Sequence, residues 1–200
     1  EAPLVVGNID TPEAAEMLIA AGADGLKVGI GPGSACKTRQ ATGVGIPQLT
    51  AVASCVAIAR QRGVPVIADG GIREGGDLSK ALVAGADLVM IGGLLGGSDE
   101  APGEVFHDDG KRWKMYRGSA SAEHQIDRIE TGSLSGIRAP EGVPRRIPCT
   151  GPAKGLIEEL LGGLRSAMSY VGAHDLDEFR AKGTFVRQTN SGWVEGKPKE

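Results

Sequence analysis

One cysteine lies in a glycine-rich stretch and is the residue of this sequence best suited to nucleophilic chemistry. Residues 29–48 read GIGPGSACKTRQATGVGIPQ and place Cys36 directly before Lys37, Thr38 and Arg39. A nearby cation favours the thiolate, which is the form of cysteine that attacks an electrophilic carbon. On spacing alone, the stretch predicts either a catalytic nucleophile or one more small residue in a tight turn.

Two carboxylates stand at positions where they could take part in binding or catalysis. Asp69 ends the apolar run VIAD, a position from which a carboxylate can accept hydrogen bonds from sugar hydroxyls. Its alternative role is to cap the following helix. Glu141 lies in APEGV, within an irregular segment, and is a candidate to contact a base or to move protons. Its alternative is a solvated surface side chain.

The remaining cysteines and the histidines give little support to metal or disulfide chemistry. Three cysteines without a CxxC pair argue against a disulfide framework and against a zinc site. Cys55 lies inside a helix-like run and is predicted to pack in the core, whereas Cys149 carries no prediction. Spacing leaves a cysteine–histidine protease open, but nothing favours it, because all three histidines lie in polar surroundings far from Cys36 in sequence: His107, His124 and His174.

The composition is that of a soluble globular domain. The chain has 200 residues, 40% hydrophobic and 24% charged, which is enough for one domain with its own core. The net charge of −3 and the 4% aromatic content do not favour a nucleic-acid partner. No apolar run approaches the roughly 20 residues that span a bilayer, and the start resembles no signal peptide. We therefore expect a cytoplasmic protein without a membrane partner.

Short apolar runs alternate with helical patterns along the first half of the chain. The apolar runs predict strands at residues 3–8, 25–30, 65–71 and 88–93, each of the first three followed by a helix. The first helix is expected to have Thr11 as its cap and Pro12 in its first turn, and to end at Gly22. Apolar strands joined by helices indicate a parallel sheet built from βαβ units. A barrel and a doubly wound sheet both fit this pattern.

Glycines end or follow the last three predicted strands. Because the carboxyl ends of parallel strands meet at one edge of the sheet, these glycines are expected where α/β proteins assemble their sites. Bare backbone N–H groups of a glycine pair can close on a phosphate, although a single pair can equally form a tight turn without a ligand. The glycines are Gly31 and Gly33, Gly70 and Gly71, and Gly92 and Gly93.

The pattern breaks in a polar segment rich in glycine and proline, residues 96–148. A connection this long usually has a function of its own. We predict a hairpin at residues 104–116, with Asp109 and Gly110 in its turn, followed by a mobile active-site loop. An amphipathic helix then closes a single domain over residues 1–200, which ends in an extended C-terminal arm, residues 186–200.

Seven motifs occur in order along nearly the whole chain: KVGIGPGSACKTR, TGVGIPQ, VIADGGI, VMIGG, KMYRGSAS, APEG and GGLRSAMSYVGA. Together they closely resemble the inosine-monophosphate (IMP) dehydrogenase and guanosine-monophosphate (GMP) reductase family. The resemblance implies an α/β fold, the (β/α)₈ TIM barrel, of which this chain supplies about the second half, strands 5–8. It also implies a homotetrameric oxidoreductase of purine metabolism. Such an enzyme attaches the purine C2 to the loop cysteine and moves a hydride between that carbon and a nicotinamide cofactor.

The resemblance assigns roles to single residues. Cys36 is the implied nucleophile, with Thr38 and Glu141 as catalytic partners, and Asn8 lies near the nicotinamide. The implied nucleotide contacts are Ser34, Gly70, Gly71, Gly92, Gly93 and Tyr116 for the phosphate, Asp69 for the ribose, and Gly118, Ser119, Ala120 and Glu141 for the purine. A potassium ion is implied on the carbonyls of Gly31, Gly33 and Cys36, completed by Glu195, Gly196 and Lys197 of a neighbouring subunit.

The sequence departs from the family pattern in three places. Lys37 stands where the family has threonine, and GSAS stands where it has Gly-Met-(Gly/Ser)-Ser. The dehydrogenases also carry an Arg-Tyr pair in the flap to activate water, whereas residues 122–140 contain Arg128 and Arg138 but no tyrosine. The missing tyrosine favours the reductase, together with Thr42 and the run YVGA. The expected reaction is NADPH-dependent reductive deamination of GMP to IMP and ammonia through a Cys36 thioimidate.

Two alternatives stay open. The run GGSDEAPGE and the Glu195 arm favour an IMP dehydrogenase with an atypical flap, which would use NAD and water. A non-catalytic relative that binds purine nucleotides is the other alternative. Because half a barrel leaves unpaired sheet edges, we expect this chain to need the N-terminal half of the barrel and to be inactive by itself.

Overall fold

The computed structural model describes residues 2–132 and 139–197. Its first half contains a four-stranded parallel sheet in which neighbouring strands follow sequence order. Within it, Leu26 of the second strand lies beside Val6 of the first and Val66 of the third. All four predicted strands are confirmed, with ends that differ by a few residues: β1 (Val5–Ile9), β2 (Gly25–Val28), β3 (Val66–Asp69) and β4 (Leu88–Met90).

Helices connect these strands, and the first begins and ends as the sequence predicts. The Thr11 hydroxyl accepts a hydrogen bond from Ala14 N at 3.2 Å, Pro12 is in the first turn, and Gly22 follows the helix with φ of 96°. A short helix inside the Cys36 loop was not predicted. The four helices are α1 (Pro12–Ala20), α2 (Thr38–Thr42), α3 (Gln48–Ala59) and α4 (Gly75–Val83).

The strand order decides between the two architectures that the apolar pattern left open. A doubly wound sheet reverses its strand order at a switch point, whereas barrel strands follow one another around the sheet. The order β1-β2-β3-β4 has no reversal. Since βαβ crossovers are right-handed, such an order places the connecting helices on one face. The sheet is therefore built as an arc of a barrel.

The core lies between this sheet and the helices α1 and α3. Leu26, Val28 and Val66 of the sheet are almost fully buried there, as are Val52 and Cys55 of α3. The prediction that Cys55 packs in the core is confirmed. Burial, and next the negative charges of Asp10 and Glu13, raise the pKa of the Cys55 thiol to about 11, so this cysteine stays protonated at neutral pH.

The two outer strands of the sheet carry exposed apolar side chains. Leu4, just before β1, is 56% exposed, and Leu88 and Met90 of β4 are 59% and 43% exposed. In the described part of the chain, β1 pairs only with β2 and β4 only with β3. An apolar strand with a free edge can pair with a further strand, as the closure of a barrel requires.

A small antiparallel sheet occupies the irregular segment. The predicted hairpin is confirmed as β5 (Val105–Asp108) and β6 (Lys111–Tyr116), with positive φ at Asp109 and Gly110, as a tight turn requires. The region expected to be only a mobile loop differs: it contains the helix α5 (Ala122–Glu130) and a third strand, β7 (Arg145–Pro148), which pairs with β6. The Ser121 hydroxyl caps α5 by accepting from His124 N.

Three helices complete the chain: α6 (Ala153–Tyr170), α7 (Leu176–Lys182) and α8 (Asn190–Glu195). The predicted amphipathic helix is α6, which packs on α4 where two glycines meet. A Cβ built on Gly75 would lie 3.0 Å from the Cα of Gly163. The C-terminal arm differs from the extended segment expected, because Thr189 caps α8 by accepting from Gly192 N. Within the described residues, no helix is long and apolar enough to cross a membrane.

Candidate active site

The loop that carries Cys36 is held in place by two side chains, Asp10 and Arg39. Asp10, which follows β1, accepts hydrogen bonds from Ile30 N at 2.9 Å and Ile46 N at 2.8 Å. Arg39 donates to the Ile30 and Ile46 carbonyls at 2.9 and 2.6 Å. Gly31 has a positive φ of 86°, and a Cβ built on it would lie 2.5 Å from Arg39 Cγ. The Arg39 side chain thus requires a glycine at this turn.

Backbone hydrogen bonds bring two distant segments onto this loop. Lys37 N donates to the Glu141 carbonyl at 2.8 Å, and Val143 N donates to the Ala35 carbonyl at 2.9 Å. Glu141 N in turn donates to the Ala120 carbonyl at 3.0 Å. The nucleophile loop, the segment before α5 and the segment before β7 therefore form one local structure around Cys36.

Cys36, Thr38 and Glu141 form a continuous chain of contacts. Cys36 Sγ lies 3.1 Å from Thr38 Oγ1, and Thr38 Oγ1 donates to Glu141 Oε2 at 2.6 Å. A hydroxyl between a thiol and a carboxylate can pass a proton from one to the other. The three residues that the resemblance assigns to catalysis are thus linked through the Thr38 hydroxyl.

Asp69 lies at the carboxyl end of β3, in a polar cluster with Lys27 of β2 and Asn8 of β1. Lys27 Nζ forms an ion pair with Asp69 Oδ2, and Asn8 Nδ2 donates to the same oxygen at 2.9 Å. Lys27 Nζ also donates to Asn8 Oδ1, and Asn8 Nδ2 donates to the Gly29 carbonyl at 2.7 Å. Asn8 and Lys27 therefore fix the carboxylate through one oxygen, which leaves Asp69 Oδ1 as the second acceptor.

Two hydroxyls converge on the glycine pair that follows β4. A Cβ built on Gly92 would lie 2.6 Å from the Tyr116 hydroxyl, and one built on Gly93 would lie 2.5 Å from Ser34 Oγ. Burial, and next the charge of Asp69, raise the pKa of the Tyr116 phenol above its ordinary value, so it remains a neutral donor. We call Ser34, Gly92, Gly93 and Tyr116 the cradle. Its size and donors suit a phosphate.

The glycine pair after β3 and the predicted purine-lining residues lie against the Cys36 loop. Gly70 and Gly71 both have positive φ, and Cβ atoms built on them would lie 3.1 and 3.3 Å from side-chain atoms of Pro32. Gly118 faces the same loop at Ala35, at 3.7 Å from a built Cβ to the Ala35 Cβ. Ser119 and Ala120 follow it directly, and Ala120 accepts the hydrogen bond from Glu141 N.

The residues implied for potassium occupy two separate places. Gly31, Gly33 and Cys36 lie in the nucleophile loop, where Cys36 N donates to the Gly33 carbonyl at 3.1 Å. The remaining three end α8 or follow it, and the helix end presents backbone carbonyls: Glu195, Gly196 and Lys197. The described residues contain no cluster of three or more histidine, cysteine or acidic side chains suited to a metal.

Sequence reasoning missed three residues of the site. Lys27 is a charged residue within an apolar strand, and that contrast could have identified it. Gly142 pairs with Cys36, and a Cβ built on it would lie 2.8 Å from Ser121 N, so only glycine fits there. Arg145 Nη1 donates to the Ser34 carbonyl at 2.8 Å, a contact with no local sequence signal. Arg138 lies outside the described residues.

Comparison with known proteins gives a consistent family match. A family model described as the IMP dehydrogenase / GMP reductase domain matches residues 1–199. The inosine-5′-monophosphate dehydrogenase of Methanocaldococcus jannaschii is 49% identical, over 98% of this chain and 42% of its own length. The GMP reductase of Leishmania donovani is 47% identical, over 94% of this chain and 39% of its own length. The chain therefore spans about two fifths of the length of these relatives.

A solved structure shows the same fold. A GMP reductase from Trypanosoma brucei in complex with guanosine 5′-monophosphate superposes with a TM-score of 0.94 at 48% identity. The match covers 100% of this chain and 41% of that chain. The parallel sheet corresponds to the second half of the TIM barrel in that enzyme, which confirms the fold that the sequence motifs implied.

Proposed function

The chain belongs to the IMP dehydrogenase / GMP reductase family, and from that premise we propose that it forms the nucleotide-binding half of a GMP reductase. The observation that carries the proposal is the contact chain from Cys36 Sγ through Thr38 Oγ1 to Glu141 Oε2. The reaction is the NADPH-dependent conversion of GMP to IMP and ammonia. The absence of tyrosine from residues 122–140 favours it over the dehydrogenase, which needs an activated water.

The nucleotide lies along the carboxyl edge of the sheet. Its 5′-phosphate occupies the cradle, where the neutral hydroxyls of Ser34 and Tyr116 donate to it beside Gly92 and Gly93. Asp69 accepts hydrogen bonds from the ribose hydroxyls, since Lys27 and Asn8 hold that carboxylate through its other oxygen. The purine then extends between the Cys36 loop and residues 118–120, with C2 beside the thiol.

Cys36 adds to C2 of the guanine, and a carbon–sulfur bond forms. The thiol proton passes to Thr38 and Glu141, because the threonine hydroxyl contacts both groups. Glu141 returns a proton to the departing amino group, the C2–nitrogen bond breaks, and ammonia leaves a thioimidate on Cys36. Fixing the carbon beside the thiol converts a bimolecular addition into a step within one complex. Bound NADPH would supply the hydride that C2 accepts as the sulfur departs.

The residues present suit the cofactor and the cation that the family implies. Asn8 is exposed at the carboxyl edge next to Asp69, so its amide oxygen has a second lone pair for a carboxamide. Backbone carbonyls of Gly31, Gly33 and Cys36 are ligands that potassium accepts in place of water. Carbonyls at the end of α8, near Glu195, Gly196 and Lys197, carry the negative end of the helix dipole. A tetramer in which this arm reaches a neighbouring subunit would join the two sets.

The second candidate is an IMP dehydrogenase that uses NAD and water and lacks the usual flap tyrosine. The Glu195 arm and the run GGSDEAPGE favour it. In that reaction Cys36 would also form a bond to C2, so the geometry of the nucleophile suits both. The two candidates differ in the fate of the covalent adduct, which accepts a hydride in the reductase and is hydrolysed by water in the dehydrogenase.

The test uses residues 1–200 within a complete barrel. One mixture contains GMP with NADPH and the other contains IMP with NAD. Loss of NADPH absorbance in the first mixture, with no gain in the second, supports the reductase. Turnover in the second mixture alone would replace it with the dehydrogenase. If neither turns over but a purine nucleotide raises the melting temperature, the protein is a non-catalytic nucleotide binder.

A further inference from the structure

Arg145 is a cation at the edge of the cradle. It opens β7, and its Nη1 donates to the Ser34 carbonyl at 2.8 Å. Ser34 is also the residue whose hydroxyl lies against Gly93. The guanidinium of Arg145 therefore contacts the residue whose hydroxyl is part of the cradle. Its positive charge lies beside the cradle.

The pairing of the small sheet places Arg145 on the same side as Tyr116. The two residues are directly opposite each other in the β6–β7 register. Opposed residues of an antiparallel pair share a face, with Cβ atoms about 4.5–5.5 Å apart. The Tyr116 hydroxyl reaches Gly92. Arg145 and Tyr116 thus approach the cradle from neighbouring positions.

The next residue shows that this placement is specific. Arg146 lies opposite Met115 on the other face of the sheet, where its guanidinium stacks on Trp113 at 4.3 Å from the ring centroid. Arg146 also forms an ion pair with Asp108. By contrast, no carboxylate of the described residues lies within ion-pair distance of Arg145, and one of its five N–H donors reaches Ser34.

Three other cations near the site are already engaged. Lys27 pairs with Asp69, and Arg39 donates to two backbone carbonyls. Lys114 is buried and donates to the Ser98 and Ala101 carbonyls at 2.7 and 2.6 Å. A phosphate monoester carries nearly two negative charges at neutral pH, and the donors of the cradle itself are neutral. Of these four cations Arg145 is the one in contact with the cradle, so its charge is placed to balance that of a phosphate.

We propose that Arg145 binds the 5′-phosphate of the nucleotide and sets the preference of the site for nucleoside monophosphates over nucleosides. This inference rests on the proposed nucleotide-binding function. A guanidinium can donate two parallel hydrogen bonds to a phosphate, and such charge-assisted pairs are stronger than neutral ones. Because the phosphate does not react, Arg145 contributes binding energy equally to the ground state and the transition state.

The test measures dissociation constants for GMP and for guanosine by calorimetry, in the protein with its complete barrel. Arg145→Gln should weaken GMP binding by about 10- to 100-fold, as expected for a lost hydrogen bond between charged groups. Guanosine lacks the phosphate, so its affinity should change by less than about twofold. In turnover assays KM for GMP should rise while kcat stays the same, because uniform binding is lost.

Two further variants test whether the effect of Arg145→Gln on GMP affinity is indirect. Arg145→Lys keeps the charge but loses the planar pair of donors, so its affinity for GMP should fall between that of the wild type and Arg145→Gln. Arg146→Gln removes the neighbouring guanidinium from the opposite face and should leave the ratio of GMP to guanosine affinity unchanged. Equal ratios in the wild type and Arg145→Gln would overturn the proposal, as would a loss of guanosine affinity equal to that of GMP.

The outcome for Arg145 can be separated from the outcome for the proposed function. If the wild type prefers GMP to guanosine but turns over neither substrate pair, the proposed enzymatic activity is refuted. The Arg145 variants still decide whether the guanidinium binds the phosphate. A wild type that binds GMP no better than guanosine overturns the proposal for Arg145 directly.

Discussion

Thr38 connects a nucleophile to a carboxylate that lies 103 positions further along the chain. Its hydroxyl contacts the Cys36 sulfur and donates to Glu141. The thiol alone could be a small residue in a turn, and the carboxylate alone could be a solvated side chain. The hydroxyl between them makes proton transfer possible, which is the strongest reason to regard the loop as catalytic.

The first prediction separates the nucleophile from its proton relay. Cys36→Ala should abolish turnover of GMP with NADPH and leave measurable GMP binding, because the cradle is unchanged. Thr38→Val keeps the thiol but removes the relay, so kcat should fall by about 10²- to 10⁴-fold with little change in KM. Steady-state kinetics and calorimetry measure both effects.

Thr42→Val is the matched control for this comparison. Thr42 lies one helical turn from Thr38 and is exposed. Its hydroxyl donates to the Thr38 carbonyl and accepts from Val44 N at 3.1 Å, so it is outside the Cys36–Thr38–Glu141 contacts. Its replacement should leave kcat near the wild-type value. An active Cys36→Ala variant, or a Thr38→Val variant as fast as Thr42→Val, would contradict the mechanism.

The second prediction concerns which thiols react. Cys55 is fully buried, and its pKa is raised to about 11, chiefly by burial. Since only a thiolate reacts with iodoacetamide, Cys55 should stay unmodified in the folded protein between pH 7 and about 9. Cys36 should react, and GMP should slow its reaction by covering the thiol. Peptide mass spectrometry at several pH values distinguishes the sites, and fast labelling of Cys55 without unfolding would contradict this assignment.

At the scale of the elements, close backbone contacts fix how helices and strands meet. Gly142 allows its segment to pair with Cys36, since a Cβ would lie 2.8 Å from Ser121 N. Gly75 and Gly163 allow α4 and α6 to touch. In each case a side chain would push apart two neighbouring segments. These glycines are therefore required by packing between elements and not by a positive φ.

The third prediction compares two adjacent glycines of α6. A Cβ built on Gly162 meets nothing within 4 Å, whereas one built on Gly163 lies 3.1 Å from the Gly75 Cα. Gly162→Ala should raise the free energy of unfolding by about 0.5–1 kcal/mol through helix propensity. Gly163→Ala should lose that gain and fall below Gly162→Ala by about 1–3 kcal/mol, because the helices must separate. Denaturant unfolding measures both variants. Equal stabilities would show that α4 and α6 accommodate the added methyl group without separating.

At the scale of the molecule, the sheet is an arc with two free edges. The chain spans about two fifths of the length of its relatives, and its strands correspond to the second half of their barrel. Exposed Leu88 and Met90 mark one edge and exposed Leu4 lies beside the other. The residues proposed for phosphate, ribose and nucleophile all lie within these 200 residues, whereas Asn8 is the one residue proposed for the cofactor.

The fourth prediction concerns this division of the barrel. The 200 residues expressed alone should turn over neither GMP with NADPH nor IMP with NAD. Addition of the first barrel half of the Methanocaldococcus jannaschii relative should restore turnover, because its strands would pair with both free edges of the sheet. Spectrophotometric assays and size-exclusion chromatography of the mixture measure the effect. Turnover by the 200 residues alone would show that this half of the barrel is sufficient for activity.

Local patterns in the sequence determined much of the fold. Apolar runs and capping residues such as Thr11 predicted the four strands and the first helix, and Asp109 with Gly110 predicted the hairpin turn. These features depend on neighbours in the chain, so a short window of sequence contains them. The helix α5 and the strand β7 were missed, because β7 is stabilised by pairing with β6 and α5 is short and mostly polar, with Ile126 and Ile129 as its large apolar residues.

The apolar pattern left open the order of the strands, and with it the choice of a barrel arc over a doubly wound sheet. The barrel was implied only by the family resemblance, so the tertiary structure decided it. The same holds for the contacts of Lys27 with Asp69, of Thr38 with Glu141 and of Arg145 with Ser34, whose partners are 42, 103 and 111 positions apart. Sequence motifs could name several of these residues by resemblance. Their distances depend on how separate elements pack, and no local spacing or periodicity encodes that.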